Sequence, residues 1–360
     1  MERGIRQGFP GVELDICPLA DGGEGTLDAL LEATGGRRMP VQVTGPLGRP
    51  VQTFFGILGD EQTAVIEIAM ASGLSLIPPE ERNPLVATTR GTGELIAAAL
   101  DEGYRSFVIG IGGSGTCDGG AGMAQALGIR FLNSHGQELN QGGGALQNLA
   151  SLDLSGLDPR IDITSFVVAS DVDNPLCGPQ GAAAVYAPQK GASPQAVQAL
   201  ERGLCRLAEV VGRETGTDLA ALPGTGAAGG LGFGLMAWLH AELRPGVEVV
   251  MQAAGFSERL QGCRLALTGE GRLDEQTARG KTVAGVARAG AAQGVPVVAL
   301  AGDIAGGLEE LHAQGLTAAL SILPGPQPLP EAIANTSSHL QSTCRELGRL
   351  LFLSLASVNR

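Results

Sequence analysis

The 360-residue sequence predicts an α/β protein of two domains with mostly parallel sheets, one domain inserted into the other. Three observations predict it. Apolar runs of strand length alternate with amphipathic stretches of helix length almost from end to end, the rhythm of parallel strands joined by helical crossovers. Glycine, 56 of 360 residues, gathers at the ends of the apolar runs, where backbone turns tightly or approaches a ligand closely. A β-rich interruption after Val41 breaks the rhythm, which resumes cleanly near Leu265. Residues 1–42 and 260–360 therefore read as one discontinuous Rossmann-like domain, and 43–259 as a second α/β domain inserted in it.

Taken in order, Val12–Cys17 reads as a strand, Pro18–Gly25 as a loop and Thr26–Ala33 as a helix with Thr26 at its N-cap. Two β-rich runs around Gly45–Gly48, within Val41–Leu58, predict an antiparallel hairpin. Thr63–Ala69 and Ser106–Ile111 read as strands, and Thr92–Leu100 and Ala121–Leu127 as helices. Phe166–Ala169 is a further strand, followed by helices from Pro194 to Val211 and from the Pro223–Gly234 loop to Trp238. The last third is a βαβαβα run: Leu265–Thr268, Thr282–Ala292, Val295–Ala301, Leu308–Gln314, Ala318–Ile322 and Glu331–Leu355.

Hydrophobic residues make up 44% and charged residues 17%, enough for buried cores and unlike a disordered chain. Aromatics are only 3%, which argues against base-stacking platforms, and the net charge of −13 repels nucleic acid and anionic membranes. The apolar runs are cut before the ~18 residues a membrane span needs. The six cysteines form no CxxC pair and no zinc spacing, so they read as reduced thiols of a cytoplasmic protein.

Neither familiar nucleotide signature holds. Gly280–Thr282 (Gly-Lys-Thr) opens a helix, but Glu275 stands where a phosphate-binding Walker loop needs glycine. Gly110, Gly112 and Gly115 fit a dinucleotide fingerprint, yet no acid follows at the required distance. The glycine-rich turn with Gly112, Gly113 and Ser114 still offers N–H groups and a hydroxyl to an anion at a strand end. Acids recur beside glycines in four loops: Asp21 and Glu24 with Gly22 and Gly23, Asp118, Asp171 and Asp173 with Asn174, and Glu270 with Asp274. A single acid at such a place most often caps a helix. Four loops at predicted strand ends suggest carboxylates for Mg²⁺, Asp171 or Asp173 among them, and an acid to orient or deprotonate a hydroxyl. Lys190 and Lys281 would supply positive charge to a transferred phosphoryl group. The four histidines fall in surface-like segments.

With these loops assembled, the sequence resembles the type I glycerate kinases along nearly its whole length. The resemblance rests on Pro18–Leu30, Val43–Gly48, Ile66–Leu74, Thr88–Ile96, Ile111–Gly128, Val168–Ala192, Gly224–Gly234 and Leu267–Thr282. It implies a cleft between two domains for ATP, Mg²⁺ and glycerate, and phosphorylation of a hydroxyl of D-glycerate, mostly the 2-hydroxyl in this family. The catalytic set carried over is Asp21, Glu24, Asp171, Lys190 and Lys281; the binding set is Gly22, Gly23, Gly112, Gly113, Ser114, Asn174, Glu270 and Asp274. Monomer and homodimer both remain open. Family members usually begin with a strand and a loop like DSFKGS, whereas Met1 here falls inside the helix that should follow. The expectation is therefore a chain shortened by roughly two dozen residues. That leaves two alternatives: a kinase of another small hydroxy or sugar acid, and an inactive truncated homologue.

Overall fold

Glycine and small aliphatic residues let strands and helices of this chain approach closely, and the computed structural model shows where they do so. It describes residues 1–278 and 281–358. The chain forms two units, Leu19–Ala254 and a discontinuous one of Met1–Pro18 with Gly255–Arg360. The boundary expected after residue 42 lies inside a strand, and the segment from Leu19 onward belongs to the larger unit. The reason is packing: Leu27, Leu30 and Leu31 of helix Thr26–Thr34 bury against Leu58, Val65 and Val108 of that unit.

The larger unit holds β1 (Arg37–Thr44), β2 (Pro50–Ile57), β3 (Thr63–Glu67), β4 (Ser106–Gly110), β5 (Arg130–Leu132), β6 (Ser151–Asp153), β7 (Ser165–Ala169) and β8 (Glu242–Arg244). Its main sheet has the order β1-β2-β3-β4-β7-β8, and β5 pairs with β6 alone. β1 and β2 form the expected antiparallel hairpin; β3, β4, β7 and β8 run parallel. Successive residues of the parallel strands point to opposite faces. Ala64, Ile66, Phe107, Ile109, Phe166 and Val168 face one apolar cluster, while Val65, Val108, Val167 and Ala169 face another. Both faces are covered, as a parallel sheet requires. The pairing aligns Glu67, Gly110, Ala169 and Arg244 in one row, which is the carboxyl edge of the sheet.

The discontinuous unit has a parallel sheet in the order β11-β10-β9, with β9 (Ala266–Leu273), β10 (Val297–Ile304) and β11 (Ala318–Ser321). β9 runs through Gly269–Arg272, beyond the strand end expected at Thr268. Val12–Cys17, expected as a strand, joins no ladder. Instead Val12 and Leu14 pack on the cluster of Ile5, Val298, Leu300, Ile322 and Cys344, and Asp15 pairs with Arg259. Side-chain anchoring takes the place of strand pairing there.

Helix Glu2–Gly8 lies against the last helix, Thr336–Val358, through glycines. A Cβ on Gly8 would overlap the Arg345 carbonyl, and one on Gly348 would stand 2.8 Å from the Ile5 carbonyl oxygen. We expect Gly8→Ala to lower stability by about 1–3 kcal/mol by forcing these helices apart. Chemical denaturation checks it, and an unchanged midpoint would exclude the close approach.

Candidate functional site

The row Glu67, Gly110, Ala169 and Arg244 organises the candidate site of the larger unit, because each strand end leads into or touches a glycine loop. Gly22 and Gly25, both with positive φ, turn the Asp21–Gly25 loop back over this edge. A Cβ on Gly22 would lie 2.8 Å from the Ala169 carbonyl oxygen, and one on Gly112 would lie 2.7 Å from Gly23 Cα. Gly112 donates its N–H to the Gly22 carbonyl at 3.3 Å. The loop after β7 joins them through Gly246, whose N–H donates to Asp171 Oδ1 at 2.8 Å and whose Cα abuts the Asp21 carbonyl. Asp21, Gly22, Gly23, Glu24, Gly112, Gly113 and Asp171 are thus brought to one edge, although no strand precedes the first loop.

Glu67 was not singled out from sequence. Its carboxylate accepts from Gly25 N at 3.1 Å and Leu27 N at 3.2 Å, so it caps helix Thr26–Thr34 from a neighbouring strand. Thr26, the expected cap, instead accepts from Gly22 N. Burial raises the Glu67 carboxyl above the usual range against the pull of those N–H groups. The available signal was an acid closing an otherwise apolar run. Gly246 and Ala228 were also missed. Ala228 adopts φ 53, followed by left-handed Gly229 and Gly230, and this turn wraps the Ser114–Cys117 backbone.

Lys190 is 2% exposed. Its ammonium donates to the Thr116 carbonyl at 2.7 Å and to Ser114 Oγ at 3.2 Å. Lys190, expected to supply positive charge to a transferred phosphoryl group, thus lies inside the unit and braces the Gly112–Thr116 turn. Ser114 is likewise turned inward, donating to the Ala228 carbonyl at 3.1 Å. Asp118 is fully buried and accepts from Thr89 N, Thr89 Oγ1, Gly120 N and Gly122 N, so it is a cap and a brace. Asn174 is held by Gln180 and Tyr186. Asp21 and Asn174 are half-buried, whereas Glu24, Asp171 and Asp173 reach solvent.

Glu270, Asp274 and Lys281 belong to the discontinuous unit. Glu270 sits on β9, half-buried. Asp274 accepts from Gln276 N at 2.9 Å and starts the short helix Glu275–Ala278. Lys281 is the N-cap residue of helix Thr282–Gln293, where unpaired N–H groups favour an anion. Gly280 of the Gly-Lys-Thr sequence lies outside the described residues.

Among the described residues, the only three His, Cys, Asp or Glu groups with donor atoms within 4.8 Å are Cys177, Glu201 and Cys205. Mg²⁺ needs no such cage, since it binds one or two carboxylates and completes its shell with water and substrate phosphates. The exposed oxygens of Asp171 and Asp173 have the right hardness and solvent access, so the donor set fits that ion.

Burial moves the Lys190 ammonium down to about 8, against the opposing pull of Cys117 and Asp118. In the unfolded chain it keeps its proton to about 10.4. Stability from this group is therefore present at high pH and lost as pH falls towards 8. Relative to Lys190→Met, the wild-type stability should rise by roughly 3 kcal/mol between about pH 8 and 10.4 and stay level below. Denaturation of both proteins across that range checks it; parallel curves would contradict the burial.

Comparison with known proteins gives one consistent answer. The glycerate kinase family model matches residues 1–352. A glycerate kinase of Bacillus subtilis is 48% identical over 98% of this chain and 93% of its own. The glycerate 2-kinase of Escherichia coli is 44% identical over 99% and 93%. A crystal structure from Salmonella typhimurium LT2, of a protein assigned as glycerate kinase 2, superposes with a TM-score of 0.88 at 45% identity over 99% of this chain and 93% of that one. The chain belongs to the glycerate kinase family.

Proposed function

We propose that this chain transfers the γ-phosphoryl group of ATP to a hydroxyl of D-glycerate, the 2-hydroxyl, using Mg²⁺ held by Asp171 and Asp173. The observation that carries the reading is the convergence of the Asp21–Gly25, Gly110–Gly115 and Ser170–Asn174 loops on one carboxyl edge, within a chain 44% identical to a glycerate 2-kinase. Carboxyl edges of parallel sheets are where α/β proteins bind ligands.

Each residue type fits a task. Asp21 or Glu24 orients the substrate hydroxyl and accepts its proton as the new O–P bond forms. Gly22, Gly23, Gly112 and Gly113 bring backbone close to the ligand where a Cβ would intrude. Asp171 is held by the Gly246 N–H, which keeps its carboxylate in place for the ion. When bound, Mg²⁺ neutralises phosphate charge. Lys281, at a helix N-terminus, supplies positive charge to the nucleotide phosphates. Lys190 is a positioning residue, acting through Ser114 and the Thr116 carbonyl. Glu270, Asp274 and Asn174 serve binding by holding their loops. The six free cysteines support the cytoplasm as the place of reaction.

Two measurements test this. In a coupled assay with ATP and D-glycerate, Asp171→Ala should lower turnover by about a hundredfold or more while unfolding near the wild-type midpoint; near-normal kcat would remove Asp171 from the site. Phosphorus NMR of the product should show 2-phosphoglycerate. No turnover of D-glycerate alongside turnover of another hydroxy or sugar acid would overturn the substrate.

A further inference from the structure

Beyond the residues assigned to the candidate site, the fold brings together three groups that no sequence spacing announces. Cys177 lies in the loop that follows β7, while Glu201 and Cys205 sit one turn apart on helix Pro194–Thr215. Their donor atoms all lie within 4.8 Å of one another, with Cys205 Sγ 3.5 Å from Glu201 Oε1. Both cysteines are free and half-buried. Glu201 Oε1 accepts from Gly178 N at 2.6 Å, which fixes the carboxylate against the Cys177 loop. Glu201 Oε2 is shielded from water and has no hydrogen-bond partner. A carboxylate oxygen in that state carries a desolvation cost that a cation would remove.

We propose that Cys177, Glu201 and Cys205 bind a thiophilic divalent cation of the zinc class. Two sulfurs and a carboxylate oxygen are borderline-soft donors that suit zinc and disfavour magnesium. Tetrahedral bonds of about 2.3 Å to sulfur and 2.0 Å to oxygen need donors roughly 3.5–3.8 Å apart. The observed spacing reaches this by small side-chain rotations. Three protein donors leave the fourth position to water, so the site is exchangeable rather than sealed. On binding, the ion replaces the thiol protons, which pass to solvent. Because Cys177 stands three residues after Asn174, the ion ties the Ser170–Gly178 loop to the long helix.

The test uses the full-length chain with cobalt chloride as the spectroscopic probe for zinc. One equivalent of Co²⁺ should produce a thiolate-to-cobalt charge-transfer band, and added zinc chloride should abolish it. Millimolar magnesium chloride should leave it intact. Cys177→Ser and Cys205→Ser should each lose the band. Glu201→Gln, which keeps both thiols, should weaken Co²⁺ binding about tenfold or more. Circular dichroism of each metal-free variant separates lost folding from lost ligands, and a folded Glu201→Gln decides the matter if a serine variant fails to fold. Absence of a stoichiometric band, a band retained in both serine variants, or displacement by magnesium would overturn the proposal.

Discussion

The candidate site depends on how closely uncovered backbone can approach uncovered backbone. At the carboxyl edge of the larger sheet, Gly22 lies on the Ala169 carbonyl, Gly112 on Gly23 and Gly246 on Asp21. A single methyl group at any of these points would push a loop off the edge and carry its acid away. The polar groups so exposed satisfy one another, as the Gly112 N–H does with the Gly22 carbonyl. Glycine here fixes shape, and the acids between the glycines fix charge.

Burial then separates two classes of ionisable residue that look alike in one dimension. Glu67, Asp118 and Lys190 lie inside the larger unit: the two acids each accept from several backbone N–H groups, and Lys190 donates to the Thr116 carbonyl and Ser114 Oγ. They hold the edge together. Glu24, Asp171 and Asp173 reach solvent from the same loops and are the groups proposed to meet a ligand. A chain of net charge −13 that handles phosphate needs the opposing field to be local. The helix N-terminus at Lys281 is the place proposed for one such field.

Periodicity made most elements legible, because the short, continuously apolar runs of β3 and β4, buried on both faces, and the 3.6-residue pattern of the long helices leave direct traces in sequence. It failed at Val12–Cys17, where the apolar alternation belongs to a segment anchored by side chains and not by a ladder. The glycine–acid loops were legible as a group, since turn chemistry is local. The direction of a side chain is not local. Lys190 reads as a cation anywhere in sequence, and only the turn at Thr116 and Ser114 shows that it points inward. Glu67 was hidden for the converse reason: its partners, Gly25 and Leu27, lie far upstream. Cys177 and Cys205 lacked a motif because a loop and a helix bring them together.

The pairing of the first helix with the last has a consequence for synthesis. Gln341 donates to Gln7 across 334 residues. At about 5–20 residues per second, the ribosome takes roughly 20–70 s to make the partner that the opening segment needs. The continuous unit Leu19–Ala254 emerges whole in that interval and is free to fold. Throughout it, Ile5 and the glycine face of the first helix remain uncovered on the nascent chain. The first helix thus gains its packing only after the last one has been made.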